Sequence, residues 1–340
     1  MAGVLLIGCG RWGQRYADAL QRRGELAGIA TKTVAGASRA AARYQVPTDR
    51  SPAALYARLD AEGRAPSALA VLSPTRAHPA HALLGLGLRL PTLVIKPLAA
   101  TPARCRALGE AFAAAGVPLL VGHETVWNPA LIAIWRAAQQ GAIGELQALE
   151  VLRQEPDDAG APGDPSTADI EAAGRHYGWL YDTLIHEAAL IHALGGTERC
   201  QDFEVDEVFA SSSAPRLLAR CRLGALAVQV RYTSAAGQPF GYEVALRGES
   251  GSLRMRAGPG FATAELSTPG AGSRPLPRTA AASGRPEDAL VAELLATCAA
   301  PAADAVGPAT SAEVSALALD TARRWTITAQ RCAARSSQRT

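Results

Sequence analysis

Val4-Leu5-Leu6-Ile7 runs without a break into Gly8-Cys9-Gly10-Arg11-Trp12-Gly13, and this stretch limits the fold of the chain more than any other. Four apolar residues in a row suit a strand buried on both faces of a parallel sheet. Ala17 and Leu20 then continue at helical spacing, so the glycines lie between a strand and a helix. Gly8 allows a tight turn, Gly10 lets the backbone approach a pyrophosphate, and Gly13 lets the helix pack close to the strand. The free N–H groups that open the helix would hold the phosphates. A glycine loop alone can be an ordinary turn; a strand before it and a helix after it predict a dinucleotide site, with Cys9, Arg11 and Trp12 completing the loop.

Leu26-Ala27-Gly28-Ile29-Ala30 predicts the second buried strand. An NAD site would end this strand in an Asp or Glu for the ribose 2′-hydroxyl. Here Thr31-Lys32 follows, and no acid occurs before Asp49. Lys32 at this place suits a 2′-phosphate, with Arg39 and Arg43 as helpers, although cations here can also be plain surface charge. NADP(H) is therefore expected ahead of NAD(H). Further strands are expected at Ala68–Leu72, Thr92–Ile95 and Pro118–Val121. Helices are expected at Ser38–Tyr44, Leu55–Leu59, His81–Leu88 and Pro102–Ala115, with a loop over Pro47–Pro52. Strands alternating with helices predict a doubly wound parallel sheet, a Rossmann domain of α/β class.

A chain of 340 residues has room for two domains, each with its own core. Hydrophobic residues at 48% and charged residues at 19% exclude a disordered chain. The net charge of +3 is scattered, which speaks against nucleic acid or an anionic membrane as partner. The first apolar stretch passes straight into the glycine loop, so no signal peptide is expected, and no apolar run is long enough to span a bilayer. The six cysteines form no C-x-x-C pair, so neither a zinc site nor a disulfide framework is predicted, and a reduced cytoplasm is the expected location.

Several later segments fall in a telling order. Ser73-Pro74-Thr75-Arg76-Ala77-His78 follows the third strand, and Lys96-Pro97-Leu98 follows the fourth. Asn128-Pro129-Ala130 precedes Gly141-Ala142-Ile143-Gly144. Gly178 is followed by Asp182 and His186, and Leu246 to Leu253 contains Gly248-Glu249-Ser250-Gly251. In this order the motifs resemble the Gfo/Idh/MocA family of NAD(P)-dependent oxidoreductases (glucose–fructose oxidoreductase and inositol dehydrogenase relatives). The resemblance implies a Rossmann domain over residues 1-122. Residues 123-340 would then form an α+β domain for substrate and oligomerisation, built on a large, mostly antiparallel open sheet. A closing helix at about 310-330 packs back on the first domain in such an arrangement. It also implies a homodimer or homotetramer through that sheet.

The second half supports such a sheet on its own pattern. Short alternating segments at Leu146–Val151, Glu204–Ala210, Leu217–Leu223, Ala225–Tyr232, Tyr242–Arg247 and Gly251–Arg256 are separated by turn residues. Asp157–Asp164 and Pro269–Pro286 are read as loops.

Lys96, Asp182 and His186 are the expected catalytic residues. Lys96 lies at the C-terminal end of a buried strand, where open α/β sheets bind ligands. It can hydrogen-bond a substrate oxygen and favour negative charge there. Asp182 and His186 are four apart and share one helix face, so the carboxylate can support an imidazole that passes a proton. The cofactor is expected against Gly8, Cys9, Gly10, Arg11, Trp12, Gly13, Thr31, Lys32, Ser73, Pro74, Thr75, His78, Lys96 and Pro97. His123, Trp127, Tyr177 and Trp179 are candidates for substrate contact. No group of His, Cys or acids has metal-ligand spacing, and none is needed.

Three positions depart from the family pattern. The acid before its lysine is Ile95 here, an arginine before the Asn-Pro segment is Val126, and a third polar position after the Asp-x-x-x-His pair is Ala189. The thinned polar set points to a substrate less hydroxylated than a polyol or sugar. The expected reaction moves a hydride between nicotinamide and a carbonyl or secondary alcohol. Reduction of a C=N bond and a non-catalytic cofactor-binding regulator are the alternatives.

Overall fold

The computed structural model describes residues 3–156, 178–209, 216–235, 237–259, 261–277, 285–299 and 311–337. By its own contacts the chain divides into two units. Unit 1 is Met1–Glu124 with Pro286–Ala316, and unit 2 is Thr125–Arg285 with Leu317–Thr340. The division falls two residues beyond the boundary expected from sequence, and residues 286–316 group with unit 1 instead of with the 123-340 portion.

Unit 1 is built on β1 (Val4–Ile7), β2 (Leu26–Ala30), β3 (Thr48–Asp49), β4 (Ala68–Val71), β5 (Thr92–Ile95) and β6 (Leu119–Gly122). They form one sheet in the order β3-β2-β1-β4-β5-β6, parallel throughout. All four residues of β1 and all four of β4 are buried, as strands covered on both faces require. Each Leu or Ile taken fully out of water in this way contributes about 1.5–3 kcal/mol. The connections are α1 (Arg11–Arg22), α2 (Val34–Tyr44), α3 (Pro52–Ala61), α4 (His78–Gly87) and α5 (Pro102–Ala115). The order reverses between β2-β1 and β4, which makes the carboxyl edge of β1 and β4 the switch point of the sheet.

Side-chain caps set where most of these helices begin. Thr33 accepts from Gly36 N, Ser51 from Ala54 N and Thr101 from Arg104 N, and proline stands in the first turn of α3 and α5. The segment expected as a loop over Pro47–Pro52 carries the two-residue strand β3, paired with Ile29 and Ala30.

Unit 2 opens with a 3-10 turn, Glu124–Trp127, shared with the end of unit 1, and α6 (Pro129–Gln139), capped by Asn128. Its sheet consists of β7 (Leu146–Pro156), β8 (Gln201–Phe209), β9 (Arg216–Leu223), β10 (Leu226–Ala235), β11 (Gly241–Gly248), β12 (Gly251–Gly258), β13 (Phe261–Thr268) and β14 (Gly272–Pro275). The order is β14-β13-β12-β11-β7-β10-β9-β8, antiparallel except where β7 lies parallel to β10. The helix α7 (Gly178–Gly195) also belongs to this unit.

Of the loop expected over Pro269–Pro286, residues 272–275 form a strand, residues 278–284 lie outside the described residues, and a helix begins at its last residue. β14 pairs with β13 at its start, and α8 (Pro286–Ala299) begins at its end, with proline in its first turn followed by Glu287 and Asp288. The strand β13 was likewise absent from the pattern reading. The loop expected at Asp157–Asp164 lies outside the described residues. The last helix, α9 (Ala312–Ser337), starts in unit 1, where Arg106 pairs with Glu313 at 2.8 Å. Among the described residues no helix is long and apolar enough to cross a membrane.

Candidate functional site

The turn from β1 into α1 is shaped by close approaches that only glycine permits. Gly8 has φ +99°, and a side chain there would meet the Leu72 carbonyl at 2.5 Å. A Cβ on Gly13 would come within 2.2 Å of the Gly8 carbonyl. At Gly10 nothing lies within 4 Å, so the space beyond the backbone is open. Gly10 is the N-cap of α1 and offers no side-chain cap, and the first turn carries no acid. Here the helix-opening N–H groups and the positive end of the helix are turned to open space without a competing carboxylate, which fits a pyrophosphate. Trp12 is exposed beside this loop, with the Arg15 guanidinium 4.7 Å from its ring centre.

At the end of β2, Thr31 N–H donates to the Asp49 carbonyl at 2.9 Å. The nearest acid is thus close in space, but its Oδ1 accepts from Ser51 N at 2.9 Å, a bond that lowers its pKa. Asp49 serves its own turn. Lys32 is exposed, and Arg50, which sequence reasoning missed, donates to the Lys32 carbonyl at 3.2 Å. Arg43 is removed from the expected set of helpers: it pairs with Asp18 at 3.0 Å and donates to Gln14 at 2.9 Å. Arg39 is exposed on α2. Three cations, Lys32, Arg39 and Arg50, remain available to a 2′-phosphate.

The loops after β4 and β5 are fastened together by His78. Its Nδ1 lies 2.7 Å from the Pro97 carbonyl and its Nε2 2.6 Å from the Ser73 carbonyl. A neutral ring can donate to only one of two carbonyls, so the pair favours the protonated form, while burial pushes the pKa of this ring down. His81 Nδ1 joins Ser73 Oγ at 2.8 Å. Thr75 is buried and Pro74 exposed. Pro97 therefore holds its place by the same bond that fixes the β4 loop, and Lys96 stands one residue before it.

Lys96 is half-buried, and its N–H donates to the Gly122 carbonyl at 3.3 Å. His123 is fully buried, with neither ring nitrogen hydrogen-bonded. Burial, reinforced by the Lys96 charge, lowers its pKa to about 3, so the ring is neutral. Glu124 follows; its Oε1 is shut off from solvent and also lacks a hydrogen bond. Burial raises that carboxyl to about 7.

In unit 2, His186 is half-buried on α7, and a hydrogen bond of 3.3 Å joins its Nδ1 to Thr125 Oγ1. Thr125 was not predicted. The signal for it was the polar run His123-Glu124-Thr125 between a buried strand and an apolar helix. Asp182 and Trp179 lie on α7, but their side chains are outside the described residues, as is Tyr177 altogether. Trp127 is buried in the turn that opens this unit. The next residue on α7, Glu187, is 1% exposed and accepts from Arg153 at 3.1 Å and from Tyr242 at 2.6 Å. Val126 and Ala189, two of the positions expected to thin the polar set, are fully buried.

Comparison with known proteins agrees with this architecture. Residues 2–123 match the family described as an oxidoreductase family with an NAD-binding Rossmann fold, GFO_IDH_MocA. The myo-inositol dehydrogenase Hyg17 of Streptomyces leeuwenhoekii is 30% identical over 281 residues, which cover 79% of each chain. The chain belongs to the Gfo/Idh/MocA oxidoreductase family. Two solved structures share its fold along nearly the whole length. A myo-inositol dehydrogenase from Corynebacterium glutamicum has a TM-score of 0.72 at 19% identity, covering 97% of both chains. A biliverdin reductase from Synechocystis, in complex with biliverdin and NADP+, has a TM-score of 0.65 at 17% identity, covering 96% of this chain and 98% of the other. The protein is thus an oxidoreductase with an NAD-binding Rossmann fold, and the two solved structures name different substrates, myo-inositol and biliverdin.

Proposed function

We propose that this oxidoreductase uses NADP(H) to interconvert a carbonyl and a secondary alcohol on a small molecule less hydroxylated than a polyol. The observation that carries the reading is the carboxyl edge of unit 1. There an open glycine turn, an acid-free end of β2 with Lys32 and Arg50, and Lys96 after β5 all lie on one edge of one sheet. NADP(H), when bound, supplies or takes up the hydride. Gly8, Cys9, Gly10, Arg11, Trp12 and Gly13 take the pyrophosphate, Thr31 and Lys32 the 2′-phosphate, and Ser73, Pro74, Thr75, His78 and Pro97 the loops beneath the nicotinamide. The Lys96 ammonium donates to the substrate oxygen and favours the negative charge that grows there. His186 passes a proton to that oxygen or takes it back. Thr125 steadies the ring at Nδ1, and Asp182, one turn earlier, favours its charged form.

The name of the Streptomyces relative argues for a cyclic polyol, whereas the family resemblance, which has polar groups at positions 95, 126 and 189, argues against one, since Ile95, Val126 and Ala189 are apolar here. A substrate panel decides between them: myo-inositol with NADP+ or NAD+, and apolar ketones and cyclic imines with NADPH or NADH. Ketone reduction is the expected outcome. In that assay Lys96→Ala and His186→Ala each lose about a hundredfold or more in kcat/KM; undiminished turnover in both overturns the site. In direct titration Lys32→Asp weakens NADPH binding about tenfold and leaves NADH unaffected. A native preference for NADH overturns the 2′-phosphate assignment.

A further inference from the structure

We propose that Glu187 is a positioning residue for His186: its buried carboxylate, gripped by Arg153 and Tyr242, fixes the turn of α7 that presents the His186 ring to Thr125. The functional consequence rests on the reading of His186 given above; the placement of the ring does not. Strand register supplies the platform. β7 lies between β10 and β11, and Arg153 is paired with Tyr232 on one side and with Tyr242 on the other. The three side chains therefore stand in one row on one face of the sheet. Glu155, two residues along β7 and on that same face, accepts from Arg153 Nε at 2.7 Å and from Tyr232 at 3.0 Å. Arg153 Nη1 and the Tyr242 hydroxyl both go to Glu187 on α7. Nη1 donates to Oε1 at 3.1 Å, and the hydroxyl donates to Oε2 at 2.6 Å. Each carboxylate oxygen is thus held by a different strand.

Apolar packing alone does not set the rotation of this helix. From Leu184 to Ile191 every residue except His186 is buried, and apart from His186 and Glu187 all are Leu, Ile or Ala. A helix that is apolar all round has no stripe that must face the sheet, and aliphatic side chains tolerate repacking. Buried polar groups with every bond made are directional and select one arrangement. α7 has such an anchor toward its C-terminal end, where His192 Nε2 lies 2.9 Å from Thr321 Oγ1 and Nδ1 lies 3.3 Å from the Gly196 carbonyl. Glu187 supplies a second one, a single residue from His186. Successive helix residues point about 100° apart, so with Glu187 fixed on the sheet His186 is aimed to one side of it. There its Nδ1 joins Thr125 Oγ1 at 3.3 Å. Arg153, Tyr242 and Glu187 act through the helix and not on the reacting atoms.

NMR of the full chain carrying isotope-labelled histidine reads the His186 Nδ1 resonance, assigned by its loss in His186→Ala. It needs neither substrate nor cofactor, so it stands apart from the outcome of the ketone panel. Thr125→Ala sets the scale, because it removes the bond and displaces the resonance. Glu187→Ala is expected to give at least about half of that displacement, and the double variant no more than Thr125→Ala alone, since both changes act on one bond. Tyr242→Phe removes a single hydroxyl, keeps the Arg153 bond and displaces the resonance less, and it carries the test if Glu187→Ala does not fold. Glu187→Gln, whose amide still accepts from Arg153 and meets the Tyr242 hydroxyl, is expected to keep the native position. With a substrate from the panel, Glu187→Ala loses about tenfold in kcat with KM within about twofold, and little more is lost when Thr125→Ala is already present. A His186 resonance that stays in its native place in both Glu187→Ala and Tyr242→Phe overturns the proposal. So do displacements in Glu187→Ala and Thr125→Ala that simply add, or a Gln variant displaced as far as the Ala one. A panel without turnover overturns the reading of His186 and leaves the resonance to decide its placement.

Discussion

In unit 2 the buried Arg153 meets Glu187 at 3.1 Å and Glu155 at 2.5 Å, Tyr242 donates to Glu187 at 2.6 Å, and Tyr232 donates to Glu155 at 3.0 Å. In unit 1 Tyr16 Oη, both His123 ring nitrogens and Glu124 Oε1 are shut off from solvent without a well-aligned hydrogen bond, although Tyr16 and Glu124 face each other. In unit 2 burial pushes the Glu187 carboxyl up and Arg153 pulls it down, and every group in the set has a partner on another element. That network ties β7, β10, β11 and α7 together and is structural. A polar set that is left unanswered lowers stability, and a fold keeps it where the groups have other work. The contrast sets a fully bonded network against a loosely bonded one at the edge of the other sheet.

Glu187→Leu should show the largest effect. It leaves Arg153 buried with Glu155 as its remaining anion and Tyr242 without an acceptor, so urea denaturation is expected to show a loss of about 3 kcal/mol. A loss below about 1 kcal/mol would remove the structural role of the network. Next is the pH dependence of unit 1. In the unfolded chain Glu124 ionises near the ordinary 4.5 but in the fold near about 7, so as pH rises through that window the unfolded state gains on the native one. His123 acts in the opposite sense. Its ring protonates near 6.5 when unfolded and near about 3 when folded, so stability falls as pH drops across that range. The two slopes oppose each other in the native protein. Relative to it, Glu124→Gln should become steadily more stable from acid pH toward neutrality, and His123→Phe less so, by on the order of 2 kcal/mol each. The smallest effect is His123→Phe at neutral pH. Replacing an unpartnered buried imidazole by a ring of similar shape should stabilise the protein by about 1 kcal/mol, a shift of a few degrees in Tm. A loss there would show that the His123 nitrogens are engaged after all.

Much of unit 1 was legible because its strands are unbroken apolar runs. β1, β2 and β5 have the bounds expected from sequence, and the glycine turn lies between β1 and α1 as its spacing required. Unit 2 was less legible at its far edge. β13 reads Phe-Ala-Thr-Ala-Glu-Leu-Ser-Thr, small and polar residues that fit strand or loop equally, and its pairing comes from β12. α8 begins beside a Pro/Gly-rich stretch, and its alanines blur the contrast between an apolar and a polar face. For the site, Lys96 and His186 stood out by position. Thr125 and Arg50 did not, because each is tied to its place by a partner brought close only by folding, Thr125 by His186, 61 residues away, and Arg50 by the Lys32 carbonyl. The demotion of Arg43 has the same origin, since nothing local shows that Asp18 claims it.

The single parallel pairing in the second sheet bears on how that unit assembles. β8, β9 and β10 follow one another as an antiparallel ladder, and so do β11 through β14. Short turns join β9 to β10, β11 to β12 and β13 to β14. β7 lies between them, yet it enters the chain before either, and its partners Val230 and Val244 opposite Val151 come some eighty and ninety residues later. Within this sheet the greatest loop-closure entropy is therefore concentrated on one strand. That strand also carries Arg153 and Glu155, so the buried ionic network can form only when the two ladders are joined. Slow assembly and the most costly desolvation in the unit meet at the same seam.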